Sequence, residues 1–279
     1  MEKKEVVYSF SKLETFRECE MNYYLTYVKK FRSEDNNIYG ELGSCVHTLE
    51  EDLLANKITK EEALQIFLDK VEDCFMVGME FATEKSGERY VESIKRYFEE
   101  YERMDIQNYS TEEHFVIDID GIKVQGFIDL YFEDEDGYLT VLDHKTSTKF
   151  AKKDLPDYAR QLILYGYALE TLKNKKVKEV GWNMIRYVAK PWRNSITLKE
   201  RCELSDLDNY PRGILLTDYN EETKNEMLNY VKTTVKEINE KDVDNAYDWK
   251  PIPDHRGNFF CRTLCEHYRE KRCIYHTYR

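Results

Sequence analysis

A chain of 279 residues with 41% hydrophobic and 14% aromatic content can build a substantial core, which excludes wholesale disorder. No apolar run approaches a membrane span and MEKKEVVYSFSK has no apolar signal-peptide core, so a cytoplasmic protein with no membrane partner is expected. Acids outnumber bases 54 to 42, and the net charge of −12 argues against non-specific binding to a polyanion while leaving room for one local basic groove.

Residues 6–10 read as a short extended segment. Ser11 and Glu14 form a capping box, each side chain satisfying a free backbone N–H, and predict a helix to about residue 28 that carries Cys19. Residues 40–54, GELGSCVHTLEEDLL, are the next helical segment. Thr59 and Glu62 cap a third helix that runs through 75. Tyr90, Val91, Ile94, Tyr97, Phe98 and Tyr101 at helical spacing predict a fourth over 88–104. Alternation then takes over, with strands at 115–119, 122–132 and 138–145 and a hairpin signal at Asp120-Gly121. Pro156 fits the first turn of a helix to about 172, and 177–188 returns as a strand. The helical crossover lets that strand run parallel to an earlier one. A short strand is expected at 196–198, Asn220 caps a helix over 221–238, and a loop-like 242–260 leads into a Cys-, His- and Arg-rich end.

Chemistry concentrates in 126–147, GFIDLYFEDEDGYLTVLDHKTS. Strand side chains alternate faces, so Asp143 and Lys145 share one side and His144 takes the other. Hairpin pairing would set Asp129 beside Asp143. Two carboxylates hold a divalent cation through hard oxygens, and an adjacent lysine can serve the attack of water on a phosphate. A metal-dependent nuclease is the reading this supports; a solvated hairpin with a surface ion pair is the alternative these three residues alone allow. His47, three residues before Glu50 on a helix, is a candidate third ligand or else a surface or capping imidazole. Gln161 and Tyr165, at i and i+4, could hold a lysine, a water or a phosphate, or be surface and core respectively. Lys149, Lys152, Lys153 and Arg160, and then Lys173, Lys175, Lys176 and Lys178, are either phosphate contacts or solvated faces.

Taken together these segments resemble the RecB-type exonuclease branch of the PD-(D/E)XK nuclease superfamily. SFSKLETFRECEMNYYLTYV resembles its N-terminal helix, and GELGSCVHTLE its G-x-x-x-H motif with His47 in the histidine place. GFIDLYF resembles the glycine-x-x-aspartate strand with Asp129, VLDHKTS the D-x-K strand with Asp143 and Lys145, and QLILYGYAL the Q-x-x-x-Y helix with Gln161 and Tyr165. The resemblance implies an α/β fold with a restriction-endonuclease-like core, a mixed central sheet flanked by helices. It also implies roles. His47, Asp129, Asp143 and the backbone carbonyl of His144 would bind Mg2+ or Mn2+, and Lys145 would orient or deprotonate the attacking water. Gln161 and Tyr165 would position Lys145 and the DNA backbone, with Glu113 a candidate outer acid.

Seven cysteines, an odd number in a reducing compartment, point to ligation rather than to disulfides. Cys261, Cys265 and Cys273 near one end, with Cys19 near the other, resemble the iron-sulfur staple of the AddB nuclease domain and of CRISPR adaptation nucleases. A 4Fe-4S cluster is the implied cofactor. The usual closing pattern in these relatives is nearer C-x-x-C, and this chain has C-x-x-x-C, so structural Zn2+ with His267 or His276 stays open as the alternative. Cys45, Cys74 and Cys202 read as buried small hydrophobes.

The expected organisation is one nuclease domain over 1–279: a mostly helical part to 108, a catalytic core over 109–190, an extension over 191–260 and a cysteine-bound tail over 261–279. The expected activity is a metal-dependent exonuclease on linear DNA ends, in phage or mobile-element recombination or DNA repair, with a single-strand annealing protein as partner. If phage-encoded, it would act in the host cytoplasm. The rivals are a CRISPR adaptation nuclease that processes prespacers and a catalytically silent DNA-binding or scaffold protein on the same fold.

Overall fold

The computed structural model describes residues 6–31, 37–147, 155–186, 213–253 and 260–276. In chain order these hold β1 (Val7–Ser9), α1 (Phe10–Glu18), α2 (Glu20–Tyr23), a π-helical segment (Tyr24–Val28), α3 (Ile38–Leu54), α4 (Lys60–Met76) and α5 (Glu84–Glu99). Then come β2 (Tyr109–Ile119), β3 (Ile122–Glu133), β4 (Leu139–Lys145), α6 (Leu155–Lys173), β5 (Val177–Met184) and β6 (Ile214–Thr217). The long α7 (Glu221–Glu240), a 3-10 turn (Ala246–Asp248), a second π-helical segment (Phe260–Leu264) and the short α8 (Glu266–Arg269) follow. The strand expected at 196–198 lies outside the described residues, as do Lys149, Lys152, Lys153 and Cys202. Two compact units divide the chain: Met1–Asp35, Val116–Gly126 and Asn225–Arg279 form one, Asn36–Phe115 and Phe127–Lys224 the other.

In the first unit β1 runs parallel to the start of β3, Val7 opposite Lys123 and Ser9 opposite Gln125. The cap of α1 is Ser9 rather than Ser11: its hydroxyl accepts from the Lys12 N–H at 3.2 Å. The helix expected to run unbroken to 28 stops at Cys19, whose backbone is extended. No glycine or proline causes the break. Met21 turns its N–H outward to the Lys250 carbonyl at 3.0 Å, and the Cys19 sulfur accepts from the Asn22 N–H in its place. Trp249, 1% exposed, seats the chain there by stacking on Tyr23 and packing edge-on to Phe16. Arg17 ties α1 to α7 through Glu237 at 2.7 Å and Thr234 at 2.7 Å.

In the second unit α3, α4 and α5 share an apolar core of Leu42, Val46, Leu49, Phe67, Val71, Tyr90, Ile94 and Phe98. The Thr59–Glu62 capping box forms as the sequence indicates. The next helix starts four residues earlier than its apolar spacing suggests, because Thr83 and Ser86 make a capping box of their own. The strands form a mixed sheet: β3 antiparallel to β4, β4 parallel to β5, β5 antiparallel to β6. The parallel pair depends on the α6 crossover, which packs on both of its strands. Gly181 permits the β5–β6 approach, since a Cβ there would lie 2.7 Å from the Leu215 carbonyl oxygen. The architecture is the expected mixed α/β fold with helices flanking the sheet.

Candidate active site

Strand register does most of the assembly. Leu130 pairs with Leu142, so one step further Asp129 faces Asp143 across the β3–β4 ladder. The His144 N–H donates to Asp129 Oδ2 at 2.8 Å and fixes that carboxylate in place. His47, projecting from α3, brings Nδ1 to 3.4 Å from the same oxygen. Lys145 Nζ lies 2.7 Å from Asp143 Oδ2 and donates at 3.5 Å to Gln161 Oε1. Gln161 in turn donates to the Tyr165 hydroxyl at 2.7 Å. The i, i+4 spacing on α6 thus yields a relay that ends on the lysine.

His144 divides as its position on the strand suggests. Its ring is buried and meets the Asn183 amide at 3.0 Å, whereas its backbone lies within hydrogen-bonding reach of the His47 imidazole. Glu113, read from sequence as an outer acid, points elsewhere: it accepts from the Tyr131 hydroxyl at 2.7 Å and pairs with Lys173 at 2.5 Å. Its neighbour Glu112 joins the site. One ligand atom from each of His47, Glu112 and Asp129 lies within 4.8 Å of the others, a donor set of one imidazole and two carboxylates that fits a divalent cation. Sequence reasoning misses Glu112 because strand alternation makes it a surface residue. Its φ of 49° places it in the left-handed region, which is rare inside a strand, and nothing in TEEHF announces that.

The electrostatics are those of a site short of positive charge. Burial and then the Asp143 charge push the Asp129 carboxyl well above its ordinary range, more than the His144 N–H and Lys145 can offset. Glu112 is also raised, by burial first and then by Glu51 and Asp143. Burial lowers His47 and so favours the neutral ring that can ligate. Burial also opposes the charge on Lys145, but Asp143 and Asp129 overcome it and hold the ammonium on. A divalent cation would relieve this crowding.

The second predicted constellation also comes together. Cys19, Cys261, Cys265 and Cys273 all line one pocket in the first unit, and His267 lines it with them. Burial raises two of these thiols, Cys19 to about 11 and Cys265 to about 12, more than their backbone N–H partners can offset. His267, fully buried, meets the Thr26 hydroxyl through Nε2 at 2.9 Å, and His276 packs on the Tyr268 ring. Cys74 is buried in the helical core of the other unit, and Cys45 packs against that core partly exposed.

Comparison with known proteins finds similarity to nucleases. The chain is 33% identical over 181 residues to an ATP-dependent helicase/nuclease subunit from Bacillus cereus, covering 54% of this chain and 14% of that protein. It is 32% identical over 127 residues to the protein of the same name from a Thermoanaerobacter species, covering 44% of this chain and 10% of the relative. The chain therefore spans a small fraction of the length of these curated relatives. The crystal structure of a candidate exonuclease from Eubacterium rectale superposes with a TM-score of 0.47 at 16% identity, covering 94% of this chain and 86% of that one. The family model described as the PD-(D/E)XK nuclease superfamily matches residues 7–273, nearly the whole sequence, and the chain belongs to that superfamily.

Proposed function

We propose that the protein is an Mg2+- or Mn2+-dependent DNA exonuclease. The observation that carries this reading is the meeting of His47, Glu112 and Asp129 within ligand distance, beside Asp143 and Lys145. In this reading His47, Asp129, Asp143 and the His144 carbonyl hold the metal, as the motifs imply, and Glu112 is added to them. The metal, when bound, supplies Lewis-acid polarisation of the scissile phosphate. Lys145, kept protonated by its carboxylate neighbours, donates to the attacking water or to a phosphate oxygen and stabilises the charge that develops there. Gln161 fixes the ammonium and Tyr165 fixes Gln161. The products are the two ends of a hydrolysed phosphodiester.

Work on linear ends in recombination or repair, alongside a single-strand annealing protein, is part of the same proposal. Its support is the similarity to helicase/nuclease proteins. We also propose that the four cysteines bind a 4Fe-4S cluster that staples the tail to the N-terminal helices, zinc being the alternative.

The test is degradation of linear duplex and single-stranded DNA in Mg2+, Mn2+ and EDTA. Cleavage in either metal, none in EDTA, and a loss of roughly 100-fold or more in Lys145→Ala are expected. A wild-type chain as inert as Lys145→Ala in Mn2+ would refute the enzyme. An anaerobic preparation should be brown; a colourless one with bound zinc would rule out the cluster.

A further inference from the structure

Arg186 lies two residues beyond β5. The Ile185 N–H still pairs with the Lys145 carbonyl at 3.0 Å, so the β4–β5 ladder carries Arg186 to the residue after the lysine. There its Nη1 donates to the Thr146 carbonyl at 3.3 Å. The guanidinium carbon lies 4.5 Å from the centre of the Tyr90 ring. Its Nε is buried and has no hydrogen-bond partner among the described residues. The groups that act on its charge are the phenols of Tyr90 and Tyr39; no carboxylate of the described residues pairs with it. Lys145, one strand over, is answered by Asp143 at 2.7 Å.

A half-buried guanidinium loses solvation, and an acid ordinarily offsets that loss. Here an aromatic face and one carbonyl hold the planar fork and, among the described residues, leave Nε without a partner. That fork matches the oxygens of a phosphate in a two-point contact. The surroundings need such a group. The crowd of Glu112, Asp129 and Asp143 repels a polyanionic strand, and the ammonium of Lys145 is already engaged.

We propose that Arg186 is a phosphate-binding residue, gripping a backbone phosphate of the DNA strand beside the one to be hydrolysed. The Tyr90 ring and the Thr146 carbonyl fix its plane. This rests on the nuclease reading and adds to it a specific contact just past the catalytic lysine. Sequence motifs do not reveal it: Arg186 follows WNMI, and only the strand pairing shows that it reaches the site.

The test is binding rather than turnover. A fluorescein-labelled single-stranded oligonucleotide is titrated in Ca2+ over a range of salt, and anisotropy gives the affinity and its salt slope. Arg186→Gln should bind roughly tenfold more weakly, with a slope reduced by about one. Arg186→Lys should keep the slope and recover only part of the affinity. A folded Arg186→Gln with wild-type slope and affinity, whatever its melting temperature, would overturn the proposal. Should that variant not fold, Arg186→Lys carries the test: a several-fold loss of affinity at unchanged slope supports the two-point grip, and unchanged affinity overturns it. Wild-type protein that neither binds nor cuts DNA would refute the nuclease reading instead, and this inference with it.

Discussion

The carboxylate site and the cysteine pocket are built on opposite electrostatic terms. Both gather candidate ligands from segments far apart in sequence; the pocket buries Cys19, Cys261 and Cys265, and the carboxylate site buries Asp143, half-buries His47 and Asp129 and leaves Glu112 exposed. At the carboxylate site the buried groups are acids beside acids, and Asp129 is pushed well above its ordinary range by burial and by Asp143. Near neutral pH that strain is present before any cation arrives. In the pocket the same burial raises Cys19 to about 11 and Cys265 to about 12, so these two thiols stay protonated and neutral and little strain accumulates on them. Their cost falls due only when a cluster or metal demands thiolates. Removing one ligand should therefore stabilise the metal-free protein at the first region and do nothing of the kind at the second.

Asp129→Asn is the sharpest way to test that difference and carries the largest expected effect. Cleavage in Mn2+ should fall by about a thousandfold or more, as expected when a group essential to binding the metal is lost. The melting temperature in EDTA at neutral pH should rise, because the amide keeps a bond from the His144 N–H and removes the repulsion with Asp143. A fall in both quantities would mean that Asp129 is an ordinary structural acid. Cys19→Ser comes next. If the staple exists, it should cost several kcal/mol, bleach the visible absorbance and expose the tail to proteolysis. Cys74→Ser, at a site equally buried but outside the pocket, should cost only about 1 kcal/mol and leave the absorbance intact. Equal effects of the two would reduce the pocket to four packed thiols.

Much of this was legible in the sequence where a regular period carries the side chain. The β3–β4 register aligns Asp129 with Asp143, and the 3.6-residue period of α6 sets Gln161 over Tyr165. Legibility ends where backbone departs from a period. The helix break at Cys19 comes from Trp249 and the Lys250 carbonyl, more than 200 residues away, and no local propensity encodes it. Glu112 is hidden for a related reason: it stays exposed, as alternation predicts, and nothing in the local pattern announces a left-handed residue whose carboxylate lies near His47 and Asp129. Strand β6 went unread because three apolar residues and a threonine after a long polar stretch give too short a pattern to weigh.

Glu112 and its neighbour Glu113 make a narrower comparison, with a smaller effect. Glu112→Gln should weaken Mn2+ activation by about tenfold to a hundredfold, read as the metal concentration at half-maximal rate. Glu113→Gln loses a partly exposed pair with Lys173 and should shift stability by no more than about 1 kcal/mol, leaving the metal dependence alone. The reverse pattern would restore Glu113 to the site and make the Glu112 geometry incidental.

The smallest effect is the pH dependence of the metal-free protein. Asp129 has a folded-state pKa above its unfolded one, so the folded state holds the proton more tightly. Its contribution to stability is complete below the ordinary carboxylate range and is lost as pH rises through the raised value. Each unit of that rise is worth about 1.4 kcal/mol. Chemical denaturation in EDTA should thus show wild-type stability declining across this window relative to Asp129→Asn, with the two converging at acid pH. Saturating Mn2+ should abolish the decline in wild type, because a cation held by ionised carboxylates reverses the sign of the burden they carry. A pH profile of wild type that parallels Asp129→Asn in EDTA would show that the crowding is relieved by some other means, and the contrast between the two regions would lose its electrostatic basis.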